Sequence, residues 1–293
     1  MSYSSGTATS TGDEPYWLGR ASEEQQRLIK QHGIYIKSIG YLLHPSIQSK
    51  LPANAHIADV ATGTGIWLRD LSAASPESGH TFTGFDISND QFLSSDSLPS
   101  NVKLTYLDFK KPIPEDLHGK FDLVNIRLII ISMGPVEVWK ETLTNILTLL
   151  KPGGAITWTE GNFLVARGFR GADDASTPGH ALTAGQNQLN STLIKRFGYS
   201  FPDFKTLFED VGLQGVQTDV ISTDRLVEMR REFTEIGVGA VFGGLKNLAK
   251  VKEEGGWGEE EVESRRVEAV ADLESGAYLR WDIHVAVGFT AKE

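Results

Sequence analysis

The chain has 293 residues, 40% hydrophobic and 23% charged, and 28 basic against 38 acidic side chains give a net charge of −10. The length suffices for one large domain with a real core, and the acidic balance argues against a nucleic-acid partner, whose affinity comes from clustered Lys and Arg. With no cysteine, disulfides, thiolate nucleophiles and cysteine metal sites are excluded together, and a cytoplasmic setting is expected.

The opening "MSYSSGTATSTGDEP" is polar, without the basic start and apolar stretch of a secretory peptide, and reads as a disordered lead over residues 1–15. No apolar run nears the ~18 to 20 residues that cross a bilayer, so no membrane partner is expected. Residues 16–54 read as an N-terminal helical cap: "SEEQQRLIKQHGIYIKSI" has a Ser start, early acids and apolar spacing, and "LHPSIQSKLPANA" reads as a polar pause. "HIADVA" reads as a buried strand, "GIWLRDLSAAS" as a helix, and "TFTGFDIS" and "VKLTYLDF" as strands. A further strand lies in "KFDLVNIRLIIISM", a helix in "PVEVWKETLTNILTLL" stopped by "KPGG", and a strand in "AITWTEGN". Strands alternating with helices at this spacing predict a mostly parallel sheet covered on both faces.

Beyond Asn162 the rhythm changes. "FLVARGFRGADDASTPGHA" reads as irregular, followed by helices over about 182–197 and within "FPDFKTLFEDVGL", and by a strand in "GVQTDVIST". Helices are expected over roughly 224–250 and through "VESRRVEAVADLES", and a closing strand in "GAYLRWDIHVAVGFTA". The extra helices fall between sheet elements, so cap insertions at about 163–200 and 224–275 are expected in one domain spanning 55–293.

The chemistry concentrates in "ADVATGTG", where the first strand turns into its helix and where open parallel sheets bind ligands. Small residues at Ala61, Gly63 and Gly65 allow a ligand to approach the backbone. The spacing is not a dinucleotide fingerprint, because its third small residue is here Leu68, and the phosphate loop G-x-x-x-x-G-K-[ST] is absent. Instead Asp59, Asp86 and Asp108 stand at successive strand ends. Three acids around one crevice would repel a diphosphate and suit a ribose diol, an amino group or a cation.

This ordered set, "ADVATGTG", "FDIS", "LDF", "FDLVNIRL" and "LKPGGAITWTE" over about residues 55–162, resembles the class I S-adenosylmethionine-dependent methyltransferases. "YWLGRASEEQQRLIKQH" and "IADVATGTGIWLRDL" look like fungal small-molecule methyltransferases of secondary metabolism. The resemblance implies an α/β, Rossmann-like, mostly parallel seven-stranded sheet with helices on both faces and a helical cap, and S-adenosylmethionine as cofactor. Carried over, Asp86, with Ile87 beside it, would hold the ribose, and Asp108 and Phe109 the adenine. Gly63 and Gly65 would line the methionine portion, with Asp59 ordering the turn or receiving the amino group. Ala61 stands where the family usually has Gly. Asn125 and Arg127 would face the methyl centre or the cap, Arg20 the cofactor carboxylate, and Tyr16 would close over that end.

Methyl transfer from a sulfonium is an in-line displacement that mainly needs alignment and exclusion of water. A hydroxyl or protonated amine acceptor would need a base; the candidates are Glu160 at the end of the fifth strand, His44 in the cap and His180 in the irregular stretch. A neutral amine or a thiolate would need little help. Aromatic residues of the later segments suggest an apolar pocket for a ring-bearing small molecule. No metal-ligand spacing stands out. Two other readings share the fold: a cyclase that uses the bound sulfonium without transferring methyl, and a methyltransferase-like regulator. A homodimer is compatible with this reading.

Overall fold

The structure is a computed structural model and describes residues 22–170, 180–250 and 256–292. Its strands are β1 (His56–Val60), β2 (Thr81–Asp86), β3 (Val102–Tyr106), β4 (Phe121–Arg127), β5 (Leu150–Phe169), β6 (Gln214–Ser222) and β7 (Tyr278–Phe289). They form one seven-stranded sheet in the order β3-β2-β1-β4-β5-β7-β6. The first five strands pair in parallel, whereas β7 runs antiparallel to both β5 and β6. Ile57, Ala58 and Val60 on β1 and Leu123, Val124 and Ile126 on β4 are all fully buried, as expected of central strands covered on both faces. The chain leaves β1 for β2 and β3 on one side and resumes with β4 on the other. The crevice beyond the carboxyl ends of β1 and β4 is therefore the topological switch point where such sheets take ligands.

One face of the sheet packs against α4 (Val136–Leu147) and α6 (Phe204–Asp210), where Trp139 stacks on Trp158 with centroids 5.4 Å apart and Phe204 meets both rings edge-on. Trp67 and Leu68 of α3 (Ile66–Ala74) pack with Ile57, Phe82 and Leu123 in a second cluster. A third cluster joins α1 (Ser22–Ile39), α7 (Arg230–Ala249) and β7 through Tyr35, Phe233 and Trp281, and reaches α5 (Ala181–Phe197) and α8 (Glu259–Glu274) through Leu182 and Val262.

Three local expectations are corrected. The stretch 163–169, read as irregular, continues β5 and pairs with β7 through Arg167↔Arg280 and Phe169↔Tyr278; its ladder partner arrives more than a hundred residues later, beyond the reach of local pattern. The polar pause after α1 contains a short helix, α2 (Pro45–Gln48), started by a proline at its first turn and by the His44 side chain accepting from Ser46 N–H. The helix expected from residue 224 begins at Arg230, after a tight turn over Val227–Met229.

Candidate functional site

The turn after β1 is built on left-handed backbone: φ is +56° at Ala61, +57° at Gly63 and +80° at Gly65. At Gly65 a Cβ would come within 2.8 Å of Leu104 Cδ1, so β3 packs against the bare backbone. The turn is tied to β2 twice. Thr62 N–H donates to the Phe85 carbonyl at 2.9 Å, and Gly63 N–H donates to Asp86 Oδ2 at 2.8 Å. The other oxygen of Asp86 accepts from Ser88 N–H at 3.2 Å.

Asp59 works beneath the turn. It is buried, and its two oxygens accept from Thr62 Oγ1 and from Asn125 Nδ2, each at 2.6 Å. Burial pushes its pKa up, opposed by the nearby Arg127 charge and by these two donors. Asn125 thus orients Asp59, which in turn orients the glycine-rich turn; neither side chain lines the cleft above.

That cleft has a volume of about 180 Å³ and is bounded by Ala61–Thr64, Asp86, Ile87, Phe109, the loop after β4, and one face of α1. The α1 face presents Arg27, Leu28, Gln31 and His32, a spacing that sets four side chains on one helical stripe. Arg127, at the end of β4, donates from Nη1 to His32 Nδ1 at 3.0 Å, which leaves His32 Nε2–H to donate to Asp70 Oδ2 at 3.1 Å. His32 is held neutral: burial, seconded by the Arg127 charge, lowers its pKa to about 4 against the pull of Asp70. Burial also lowers the Arg127 pKa, countered by Asp59 and Asp70.

After Arg127 the backbone is strained, with Leu128 at φ +56°; such outliers concentrate at ligand sites. The loop they open, Leu128 to Ser132, lines the cleft and is pinned from below by Glu160. This fully buried carboxylate accepts from Ile129 N–H at 2.8 Å and Gly161 N–H at 3.1 Å, with Trp158 Nε1 at 3.5 Å. Burial raises its pKa to about 8, with those donors opposing.

A second cavity, of about 60 Å³, adjoins the cleft and shares Ile130, Ile131, Phe163 and Ala240 with it. Its walls come from α5 and α7, with Leu189, Leu193, Val241 and the small Gly237 and Gly244 among them. Two amides enter it: Gln186 Nε2 donates to Asn190 Oδ1 at 2.8 Å, and Asn190 Nδ2 donates to the Phe163 carbonyl at 3.2 Å. Tyr199, at its edge, donates its hydroxyl to the Ile131 carbonyl, and burial raises its pKa.

Of the residues singled out in the sequence, Ala61, Gly63, Asp86, Ile87 and Phe109 line the cleft. Gly65, Asp59 and Asn125 stand behind them. Asp108 does not line the cleft, its carboxylate accepting from Lys110 N–H at 3.1 Å and pairing with Lys111 Nζ at 3.2 Å. Tyr16 and Arg20 lie outside the described residues. The three acid–base candidates are not brought to either cavity. Glu160 supports the wall from below. His44 caps α2 and lies 3.5 Å from Asp219, and His180 precedes α5 with Asp272 at 3.1 Å.

Missed in the sequence were Arg27 and Gln31, detectable as a stripe with Leu28 and His32, and Gln91, for which no local signal exists. Gln91 lines the cleft only 7% exposed, with neither amide atom hydrogen-bonded among the described residues. Among the described residues no group of three or more His, Asp or Glu could hold a metal, and no helix is long and apolar enough to cross a membrane.

A family model described as a methyltransferase domain matches residues 57–154. Among curated proteins, the chain is 35% identical over 152 residues to methyltransferase grgD of a Penicillium species, covering 50% of this chain and 52% of that one. It is 35% identical over 147 residues to N-methyltransferase tcpN of Claviceps purpurea (strain 20.1), at 50% and 51% coverage. With N-methyltransferase verN of Clonostachys rogersoniana it shares 30% identity over 160 residues, at 55% of each. The matched part spans about half the length of these relatives.

Proposed function

We propose that the chain is a class I S-adenosylmethionine-dependent methyltransferase, a reading supported by the match over residues 57–154 and by its relatives, and that it transfers a methyl group from S-adenosylmethionine to a small, apolar, ring-bearing acceptor of fungal secondary metabolism. The observation that carries the reading is the junction of two unlike cavities at Ile130, Ile131, Phe163 and Ala240: a cleft over the glycine-rich turn that carries charged and amide side chains, and an almost wholly apolar one between α5 and α7.

The cleft fits the cofactor. The left-handed turn presents bare backbone at Gly63, and Asp86 lines the same wall with acceptor capacity for hydroxyl protons. Arg127 brings a positive charge to the β4 side, which suits a carboxylate, while the Arg27 fork on α1 is already paired with Glu24 at 2.6 and 2.7 Å. Ile87 and Phe109 supply apolar surface for a base. Bound there, S-adenosylmethionine supplies an electrophilic methyl group on a positively charged sulfur.

The chain's own residues then have three tasks. Asp86 and the turn hold the nucleoside end, the Asp59–Asn125 pair keeps the turn in shape, and the loop pinned by Glu160 forms the wall past which the acceptor approaches. Alignment and exclusion of water account for most of what such a displacement needs. Tyr199 is the one titratable side chain among the described residues lining the apolar cavity, and its hydroxyl is engaged by a carbonyl. An uncharged nitrogen nucleophile, which needs no base to attack, fits this wall best, and two relatives are named N-methyltransferases.

Calorimetry with S-adenosylhomocysteine tests the cofactor half, and mass spectrometry of products from apolar amine and amide acceptors tests the transfer. Binding together with a gain of one methylene unit is expected. Absence of binding overturns the reading, and a converted product of unchanged mass points to the cyclase alternative.

A further inference from the structure

We propose that Gln91 is a cofactor-binding residue, its amide pairing with the ribose hydroxyls of the adenosyl group beside Asp86. The assignment rests on the methyltransferase reading and adds to it a ligand outside the glycine-rich turn and the strand-end acids. Three observations carry it.

The first is an unpaired amide. Gln91 is 7% exposed, and Nε2 and Oε1 are both buried without a hydrogen-bond partner among the described residues. Buried side-chain amides are nearly always paired, and one that is not calls for an explanation, a ligand being the natural one in a cleft wall. The second is position. Gln91 lines the same cleft as Asp86, Ile87 and Ser88.

The third is that the backbone around it is held from two directions. Its carbonyl accepts from Gln25 Nε2 of α1 at 3.1 Å, and that same amide also reaches the Phe92 carbonyl at 3.3 Å. Two residues on, Leu93 N–H donates to the Thr64 carbonyl of the glycine-rich turn at 3.1 Å. The side chain therefore springs from a backbone segment held between the turn and α1.

The chemistry selects the diol. A carboxylate such as that of Asp86 only accepts hydrogen bonds, so it can take hydroxyl protons but leaves the hydroxyl oxygens without a donor. A glutamine amide supplies that donor through Nε2 and offers Oε1 as a further acceptor. A carboxylate and an amide on residues lining one cleft thus match a vicinal diol, in which each hydroxyl both donates and accepts.

The test is calorimetry of wild type, Gln91→Met and Gln91→Glu with S-adenosylhomocysteine and with its 2′,3′-dideoxy analogue, alongside melting curves of the free proteins. Gln91→Met keeps the length and removes the amide. It is expected to weaken S-adenosylhomocysteine about tenfold and the dideoxy analogue by less than about twofold, with no loss of melting temperature in the free protein. Gln91→Glu, which places a second acceptor-only group beside Asp86, is expected to bind more weakly than Gln91→Met. Unchanged affinity of Gln91→Met for S-adenosylhomocysteine overturns the assignment while leaving the methyltransferase reading in place. An equal loss for both ligands overturns it too, by moving the contact to the base or the amino-acid portion. Failure of wild type to bind S-adenosylhomocysteine removes both.

Discussion

The cleft over the glycine-rich turn and the cavity between α5 and α7 lie side by side yet are made in opposite ways. The cleft carries charged side chains and rests on strand ends: a left-handed turn, Asp86, and Asp59 buried beneath with both oxygens engaged. The cavity is apolar and rests on helices, its space left by Gly237, Ala240 and Gly244 on one face of α7 opposite Leu189 and Leu193 of α5. Geometry at a strand end is set by a few adjacent residues. A space between two helices is set by which side chains fail to fill it, so it varies with substitutions that leave the fold intact. This division suits a protein that holds one constant reagent and selects a variable partner.

The wall the two share gives the strongest way to break the comparison. Glu160 is raised to about 8 by burial from an ordinary value of 4.5, so the folded protein holds a proton that the unfolded chain has released between those values. Its contribution is fully present below about pH 4.5 and is lost as pH rises through about 8. Glu160→Gln is expected to abolish that slope, a difference on the order of a few kcal/mol across the window, read by denaturant unfolding at pH 5 and pH 8. His284 on β7, cross-strand partner of Glu160, and Tyr35 on α1 are the nearest titratable neighbours. Burial raises the Tyr35 pKa and keeps that hydroxyl neutral across the window, whereas burial lowers the His284 pKa, so below about 6.5 the unfolded chain takes up a proton that folded His284 does not and an opposing slope remains there in wild type and variant alike. Parallel slopes in wild type and variant would show that Glu160 holds the Leu128–Ser132 loop without titrating.

On the cleft side, Asp86→Ala is expected to weaken S-adenosylhomocysteine by about 10- to 100-fold, since it removes a charged acceptor from the ligand and a partner from Gly63 N–H; equal affinity in calorimetry would move the nucleoside elsewhere. On the cavity side, Gly244→Leu should fill the space against Leu189, lowering turnover with bulky acceptors by about tenfold while S-adenosylhomocysteine affinity stays within about twofold. Steady-state rates and calorimetry together read that split, and a loss of both would mean that the cavities are not independent. The smallest effect belongs to the turn itself. Ala61→Gly relieves a left-handed alanine and is expected to stabilise by about 0.5 kcal/mol, because glycine's larger unfolded-state entropy offsets part of the strain released; thermal unfolding would detect it.

Much of the cleft was legible in the amino-acid order. Small residues at 61, 63 and 65, and an acid at the end of β2, are local signals with one physical meaning each. That Asp59 could order the turn was legible, but the part of Asn125 was not, since only β1–β4 pairing, with Asp59 opposite Asn125, shows that one orients the other. Asp108 shows the opposite failure: its position after β3 was right, and its side chain is engaged by Lys110 and Lys111 instead of lining the cleft. His44 and His180 were attractive by chemistry alone; His44 caps α2, and His180 pairs with Asp272 at the start of α5.

What the sequence by itself determined is the alternation of strands and helices and the turn between β1 and α3, because hydrophobic period and backbone freedom act over a few residues. What only the tertiary structure decided is the company around that turn: α1 laid over it from one end of the chain, the α5–α7 cavity from the other, and a dry amide at Gln91 between them. Those contacts join residues as far apart as Arg27 and Ala240, and the burial that leaves the amide without a partner among the described residues exists only once all of them have packed.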